Sequence, residues 1–297
     1  MAGLETGSGD FRDLAASGEQ PGVTKAIGMA FASARDGLAG GLVAARVTPN
    51  ALTGAGFLVT LGSAACLSLG AGDAFGPSSA PGQSCWPVWA GALLIAAGAC
   101  DMLDGAVARI GRKSTSFGAV LDSSLDRFSD VAIFLALVGH FCRRGNLTYT
   151  VLAAVALANT FLISYVKARA EDLIEDCTVG WWQRGERHVA LLIACFTCHV
   201  PMFLWQQATL PMLTVFRRLD YTRKALGAKE RGLPSPAKGP PTGRMRLLHP
   251  WRYPRGSLPF DLVAAVNVAI LVFGPWIFSF FRGRTDPLRR LIEAVSG

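Results

Sequence analysis

DMLDGAVARIGRKSTSFGAVLDSSLDR, residues 101–127, sets four aspartates, two well-placed glycines and an arginine at fixed intervals between two apolar runs. Asp101, Asp104 and Arg109 close the first run, and Asp122 and Asp126 lie in the second. A carboxylate in lipid-facing sequence is costly, so it signals function by default. Asp101 and Asp104 are three residues apart and share a helix face; Asp122 and Asp126 are four apart and do the same. The connection, residues 109–116, is short, which makes the two helices antiparallel neighbours whose acidic faces can meet near one end of the hairpin. Four carboxylates placed this way form a nest of hard oxygen donors. Such a nest suits Mg²⁺ or Mn²⁺, and those ions suit phosphate chemistry. Gly105 and Gly118 remove side chains beside the junction, so a helix or a phosphate can approach the backbone. Arg109 adds a cation with the geometry for bidentate phosphate contact. Snorkelling interfacial charge accounts for one aspartate, but not for four in register with an arginine.

The chain around this stretch is built for a bilayer. Of 297 residues, 51% are hydrophobic, which excludes a disordered chain and predicts an all-α integral membrane protein. Apolar runs fall at 50–71, 87–107, 117–141, 148–166, 187–217 and 258–281. The fifth is too long for one span and contains Pro201 and Pro211, so it divides into 187–201 and 203–219. The expectation is a six-transmembrane-helix bundle with one extra C-terminal hydrophobic segment. Residues 1–47 read as a mobile N-terminus followed by an interfacial helix, with Ile27, Phe31, Leu38 and Leu42 on its apolar side. Residues 48–223 read as the transmembrane core, 224–257 as a basic Gly/Pro-rich linker, and 258–297 as the added segment with its basic tail. The first twenty residues carry Glu5, Asp10, Asp13 and Glu19 and show no cleavable signal pattern.

The net charge of +8 does not point to nucleic acid, because of where it lies. The 108–116 and 167–187 loops and the 217–256 segment are basic, whereas the 72–86 loop has no Lys or Arg. Positive flanks mark the cytoplasmic side and attract anionic lipid head groups, so the aspartates are expected to face the cytoplasm. Arg143, Arg144 and the tail from Arg282 to Arg290 run against this bias, which leaves open whether 258–281 spans, re-enters or lies along the interface. Seven scattered cysteines, mostly in apolar runs, read as buried small side chains rather than a disulfide frame. Cys195-x2-Cys198-His199 lacks a second ligand pair and reads as packing.

The pattern D-x2-D-G-x2-A-R-x8-G-x3-D-x3-D resembles the signature of the CDP-alcohol phosphatidyltransferase family. Asp101, Asp104, Gly105, Ala108, Arg109, Gly118, Asp122 and Asp126 match all eight of its fixed positions. Thr48–Thr53, TPNALT, resembles the start of that family's first span. The resemblance covers residues 46–223. It implies transfer of a phosphatidyl group from CDP-diacylglycerol to an alcohol, with release of CMP. It further implies two Mg²⁺ or Mn²⁺ ions on Asp101, Asp104, Asp122 and Asp126, with Asp126 as general base. Arg109 is then expected to bind the donor phosphates, and Gly105, Ala108, Thr115 and Gly118 to shape the cytidine pocket. The implied setting is a homodimer in the cell inner membrane, with the site facing the cytoplasm.

A second polar group recurs where the later spans meet that same side. Ser164, Lys167, Arg169 and Glu171 end the fourth span, Gly185, Glu186 and Arg187 begin the fifth, Arg218 and Arg223 follow the sixth, and Arg127 follows the last aspartate. Clustered cations suit an acceptor that carries its own phosphate. Arg169, Arg184 and Arg217 read instead as ordinary anchoring. Within the family, S-Y-x-K-A-R-A-E, a later E-R and a final R-x4-R resemble the phosphatidylinositol phosphate synthases and the related glycerophosphate-using enzymes. This implies that Arg127, Ser164, Lys167 and Arg187 bind the acceptor phosphate of a soluble polyol phosphate, inositol phosphate first and glycerol phosphate second. His188 and the C-terminal addition stand outside the pattern. A transporter or channel with an acidic path is the rival class. It leaves the paired glycines and Arg109 unexplained, and no inverted repeat supports it. A scaffold that has lost activity is the third, and the intact aspartate set argues against it.

Overall fold

The structure, a computed structural model, describes residues 23–71, 85–236 and 258–296. The N-terminus to residue 22, most of the expected external loop at 72–86 and the linker over 237–257 lie outside the described residues, as do the side chains of Ile27 and Phe31. Every regular element among the described residues is helical. They are α1 (Val23–Ala44), α2 (Pro49–Leu69), α3 (Trp86–Ile110), α4 (Ser116–Arg143), α5 (Leu147–Glu171), α6 (Arg184–Phe196), α7 (Val200–Glu230), α8 (Leu258–Ile277), a 3₁₀ turn at Ser279–Arg282, and α9 (Pro287–Ser296).

Four helical stretches are long and apolar enough to cross a membrane: Pro49–Leu69, Trp86–Ile110, Leu147–Glu171 and Phe260–Ile277. They make this an integral membrane protein. The fourth is the C-terminal segment whose position the tail arginines left open; its length and composition suit a crossing. α4 and α7 are longer, at 28 and 31 residues, but carry charges, and α6 has only 13 residues.

The chain divides into two compact units, residues 1–56 with 98–125, and residues 57–97 with 126–297. In the first, α1 lays Ala39, Leu42 and Val43 against Leu52 of α2 and against Leu103, Ala106 and Val107 of α3. Leu42 is packed as its periodicity predicts, but Leu38 is 64% exposed. Thr48 caps α2, its Oγ1 accepting from Ala51 N at 3.3 Å, and Pro49 takes the first helical position.

In the second unit, α5 presents Ala153 and Ala156, both fully buried, and Thr160 toward the unit's core. Small side chains of this kind let helices approach closely in a membrane. α5 and α7 are then joined by polar bonds. Gln207 Nε2 donates to Thr160 Oγ1 at 3.0 Å, Gln207 Oε1 accepts from Trp182 Nε1 at 2.8 Å, and Asn159 Nδ2 donates to Ala208 O at 2.8 Å. Trp182 is delivered by Gly180, whose φ is +114° and whose missing Cβ would sit 2.2 Å from Thr214 Cγ2. Only glycine fits there. α7 runs unbroken through Pro211 to Glu230, past the expected start of the linker at 224. Tertiary contact carries it on, for Tyr221, Ala225 and Leu226 pack on Ala170, Ile174 and Cys177. All seven cysteines are free, and Cys195 and Cys198 are buried, as packing residues should be.

The C-terminal segment is tied to the unit's core. Gln206 Nε2 donates to Asn267 O at 2.9 Å, and His199 Nδ1 meets Leu271 O at 3.2 Å. Beyond α8, the Asp286 carboxylate accepts from Leu147 N at 2.7 Å, from Thr148 N at 3.0 Å and from Thr148 Oγ1. It also caps α9, accepting from Arg289 N at 3.2 Å.

Gln207→Ala should destabilise the protein by about 2 kcal/mol, because it strands the buried indole donor of Trp182 and an acceptor on Thr160. Thermal unfolding in detergent measures this, with exposed Leu213→Ala as a control expected within about 0.5 kcal/mol of wild type. A second expectation concerns acid. Partial burial pushes the Asp286 carboxyl up, but the bonds from Thr148 and from the amides of Leu147, Thr148 and Arg289 outweigh it and hold its pKa below the ordinary value. A depressed folded pKa contributes stability that is fully present above the unfolded value of about 3.9 and is lost as pH falls through the folded one. Amide exchange at Leu147 and Thr148 should therefore stay slow at pH 5 and accelerate only below about pH 4. Acceleration already at pH 6 would count against this capping role.

Candidate active site

Polar groups collect in each unit, and α4 carries members of both. In the first unit, α3 bears Asp101 and Asp104, and α4 bears Asp122. A carboxylate oxygen of Asp101 lies within 4.8 Å of one from Asp122, so one cation can touch both. Asp101 is exposed and Asp122 half-buried. Asp104 is 7% exposed and accepts from Thr53 Oγ1 at 2.6 Å. Thr53 belongs to the TPNALT stretch, so the first turn of α2 orients this carboxylate.

The hairpin turn is shaped with similar economy. Thr115 caps α4, its Oγ1 accepting from Gly118 N at 3.0 Å. A Cβ on Gly118 would come within 3.0 Å of that hydroxyl and 3.5 Å of Asn50 Oδ1. The glycine thus keeps the capping threonine and the start of α2 close together. At Gly105 a Cβ would meet only Arg109 Nη1, at 3.7 Å, so the glycine leaves open space beside the arginine. Ala108 is half-buried and Arg109 exposed on the same last turn of α3. Arg112 takes a left-handed φ of 50° as the chain turns, and Lys113 N returns to Ala108 O at 2.9 Å. The result is a turn with oxygen donors on one side and an exposed guanidinium at its rim.

In the second unit, Asp126 follows Asp122 by one turn on the same face of α4. Its carboxylate is held by the Arg184 guanidinium and lies 3.7 Å from Arg127 Nη1. Arg184 therefore does more than anchor: it faces the last signature aspartate. One turn further, Asp130 meets Arg187 at 3.8 Å, and both side chains are under 10% exposed. Arg187 does not reach out to solvent as a basic helix end would. It lines a cavity of about 20 Å³ with Asp130, His188 and Gln207, and among the described residues its Nη1 has no hydrogen-bond partner. Lys167 pairs with Glu171 at 3.6 Å and stays partly exposed, and Ser164 Oγ bonds back to Thr160 O at 3.2 Å. Arg218 is buried and donates to Val179 O and Ile163 O at 3.1 and 2.6 Å, which makes it a structural brace between α7, α5 and the 180 loop.

Sequence reasoning passed over Asp130, although the i, i+4 ladder of Asp122 and Asp126 continues to it. It read Arg184 as ordinary anchoring, because the contact with Asp126 spans 58 residues of chain and leaves no local trace. For a metal, the donor set is decisive: the first unit's carboxylates include neither a thiolate nor an imidazole, which fits Mg²⁺ or Mn²⁺.

A sequence profile of CDP-alcohol phosphatidyltransferases matches residues 46–218. An archaetidylinositol phosphate synthase of Methanothermobacter thermautotrophicus is 38% identical over 142 residues, covering 46% of this chain and 70% of that protein. A phosphatidylinositol phosphate synthase of Mycolicibacterium smegmatis is 33% identical over 166 residues, covering 52% of this chain and 75% of that one. Among solved structures, the phosphatidylinositol phosphate synthase of Mycobacterium tuberculosis with CDP-DAG bound superposes with a TM-score of 0.52 at 26% identity, covering 63% of this chain and 92% of its own. The same enzyme in complex with manganese and citrate gives 0.54 at 25% identity, covering 71% and 97%. α8 and α9 lie beyond the residues that the profile matches.

Asp101→Asn and Asp122→Asn should each weaken Mn²⁺ binding about tenfold or more, since an amide keeps the shape but removes the charge. Electron paramagnetic resonance of titrated Mn²⁺ reads this without any turnover. Unchanged affinity in both variants would remove the cation from the first unit.

Proposed function

We propose that this chain, which belongs to the CDP-alcohol phosphatidyltransferase family, transfers a phosphatidyl group from CDP-diacylglycerol to a phosphorylated polyol and releases CMP. Inositol phosphate is the first choice of acceptor, because the relatives just described carry phosphatidylinositol phosphate and archaetidylinositol phosphate synthase activity in their names. Glycerol phosphate is the alternative. The observation that supports the reading most directly is the acidic hairpin, where Asp101 and Asp122 bring oxygens within reach of one cation and Arg109 stands at the rim.

The chemistry follows from the residues. A bound pair of divalent ions would neutralise the diphosphate and stabilise the departing CMP. Asp101, Asp104 and Asp122 would hold them with Asp126, and Thr53 orients the Asp104 carboxylate. Arg109 binds the donor phosphates, and the open space at Gly105, with Ala108, Thr115 and Gly118, receives the cytidine. The acceptor hydroxyl oxygen forms a P–O bond to the phosphatidyl phosphorus while the P–O bond to CMP breaks. The hydroxyl proton passes to Asp126. For that, the Asp126 oxygen has to leave Arg184, and an incoming phosphate is a competing partner for the guanidinium. Arg127, Ser164 and Lys167 complete the acceptor site, with Arg187 as its inner wall. The setting is a homodimer with a six-span core, α1 along the cytoplasmic surface of the inner membrane, and the site open to that side.

Purified protein in vesicles with CDP-diacylglycerol and Mg²⁺ tests the reading against a panel of acceptors, with CMP release and mass spectrometry of the lipid as readouts. Inositol phosphate should give product, and chelation should stop the reaction. Free inositol reacting equally well would sink the phosphate acceptor. Asp126→Asn should lower kcat about 100-fold or more. Lys167→Ala should raise the acceptor KM about tenfold with little change in kcat or in the KM for CDP-diacylglycerol.

A further inference from the structure

α8 ends in a band of aromatic rings: Trp276, Phe278 and Phe280 are 57%, 52% and 37% exposed. Exposed aromatics at the end of a spanning helix mark the membrane–water boundary. This end is remote from Asp126, because α4 rises about 26 Å from Asp126 to Arg143 before the turn at Asn146. The chain does not trail away from it. Arg282 folds back and donates from Nε to Pro275 O at 2.7 Å, closing the last turn of α8. Tyr149 donates its hydroxyl to Phe280 O, and Asn146 Nδ2 donates to Gly283 O at 3.0 Å. The Asp286 carboxylate then caps α5 and α9 together.

α9 follows at once, and its pattern is two-sided. Leu288, Leu291, Ile292 and Val295 recur at i, i+3, i+4 and i+7, with Arg289, Arg290 and Glu293 elsewhere on the helix. Leu291, Ile292 and Val295 are 61%, 50% and 82% exposed. A ten-residue helix is marginal in water, so an apolar edge left in solvent would not hold it folded. Its length also limits what can cover that edge. Three side chains present a few hundred Å² at most, well below the roughly 800 Å² per partner of a standard protein interface. The helix starts ten residues after the end of α8, beside the aromatic band, and it brings arginines that match lipid phosphates.

We propose that residues 278–296 form a lipid-surface anchor: α9 lies in the interface of the leaflet remote from Asp126, with Leu291, Ile292 and Val295 in the acyl boundary and Arg289 and Arg290 toward lipid phosphates, while Asp286 couples the helix to the start of α5. The spanning segment and its tail thus act as one device that clamps the far end of α5 at a fixed depth. It is independent of the transfer reaction, and so is its test.

Full-length protein is placed in single-copy nanodiscs of phosphatidylcholine, with an environment-sensitive non-natural fluorophore at position 292 in one preparation and at position 290 in another. Lipids brominated on the upper acyl carbons should quench position 292 at least about threefold more than position 290. Adding phosphatidylglycerol should slow amide exchange across 287–296. The double variant Leu291→Asp, Ile292→Asp leaves the Asp286 contacts untouched. It should lose the protection of α9 while the amides of Leu147 and Thr148 stay slow. Equal quenching at the two positions overturns the anchor. So does α9 protection that survives the double variant, or that appears only when two copies share a disc, which would assign the edge to a second chain.

Discussion

A carboxylate drawn out of bulk water has to be answered, and the kind of answer it receives divides this molecule chemically. Asp104 is met by the neutral hydroxyl of Thr53, and Asp101 and Asp122 bring negative oxygens close to each other. That set concentrates carboxylate oxygens in the first unit, the donor type that holds hard cations. Asp126 and Asp130 are met by Arg184 with Arg127 and by Arg187. There the cations match or exceed the carboxylates, which is the condition for receiving an anion. The aspartates at 122, 126 and 130 stand one turn apart along α4, so a sequence repeat yields carboxylates with different partners.

The two arginine contacts on α4 have different meanings. Arg187 and Asp130 are both buried, and their separation of 3.8 Å is longer than a hydrogen bond. Such a pair adds little to stability by itself, yet removing one partner leaves a stranded charge. Its value lies in orientation. Arg184 is about one-third exposed, so water competes for it and it can exchange partners at lower cost. Of the two, the outer arginine is suited to move during a reaction cycle and the inner one to stay.

What was legible in the sequence follows the same physics. The hairpin, the glycine at 118 and the aspartate pairs 101/104 and 122/126 are all local, set within one or two turns, and the sequence displays them. The four long apolar helices were legible because hydropathy is additive along a helix, whereas α4, α6 and α7, read as spans, are charged or short. Contacts between distant elements were not. Arg184 sits before α6 like any positive-inside anchor, and only the packing of α6 against α4 turns it onto Asp126. Arg187 looks accessible three residues on in sequence, but its side chain is buried against Asp130. The extension of α7 to Glu230 depends on Tyr221 and Ala225 meeting Ala170 and Cys177, a pairing that periodicity cannot announce.

The docking of α8 shows why an added span can carry no motif. The core reaches it through side chains that touch its backbone: Gln206 donates to Asn267 O, and His199 meets Leu271 O. A carbonyl can only accept, so His199 carries its proton on Nδ1 here. Leu271 O lies four residues before Pro275, which has no N–H to give it, so His199 answers a carbonyl that the helix ladder leaves open, while Asn267 O offers Gln206 a second lone pair. Recognition of this form constrains the helix to be apolar, correctly placed and interrupted at Pro275, and makes little use of its other side chains. The identity-bearing residues therefore sit on the core, in His199 and Gln206, and at the far end in Asp286, where one carboxylate has to meet amides of two helices at once. An apolar segment attached this way gains a fixed position from three polar residues outside its span. That is why its attachment is invisible in the segment and visible only in the fold.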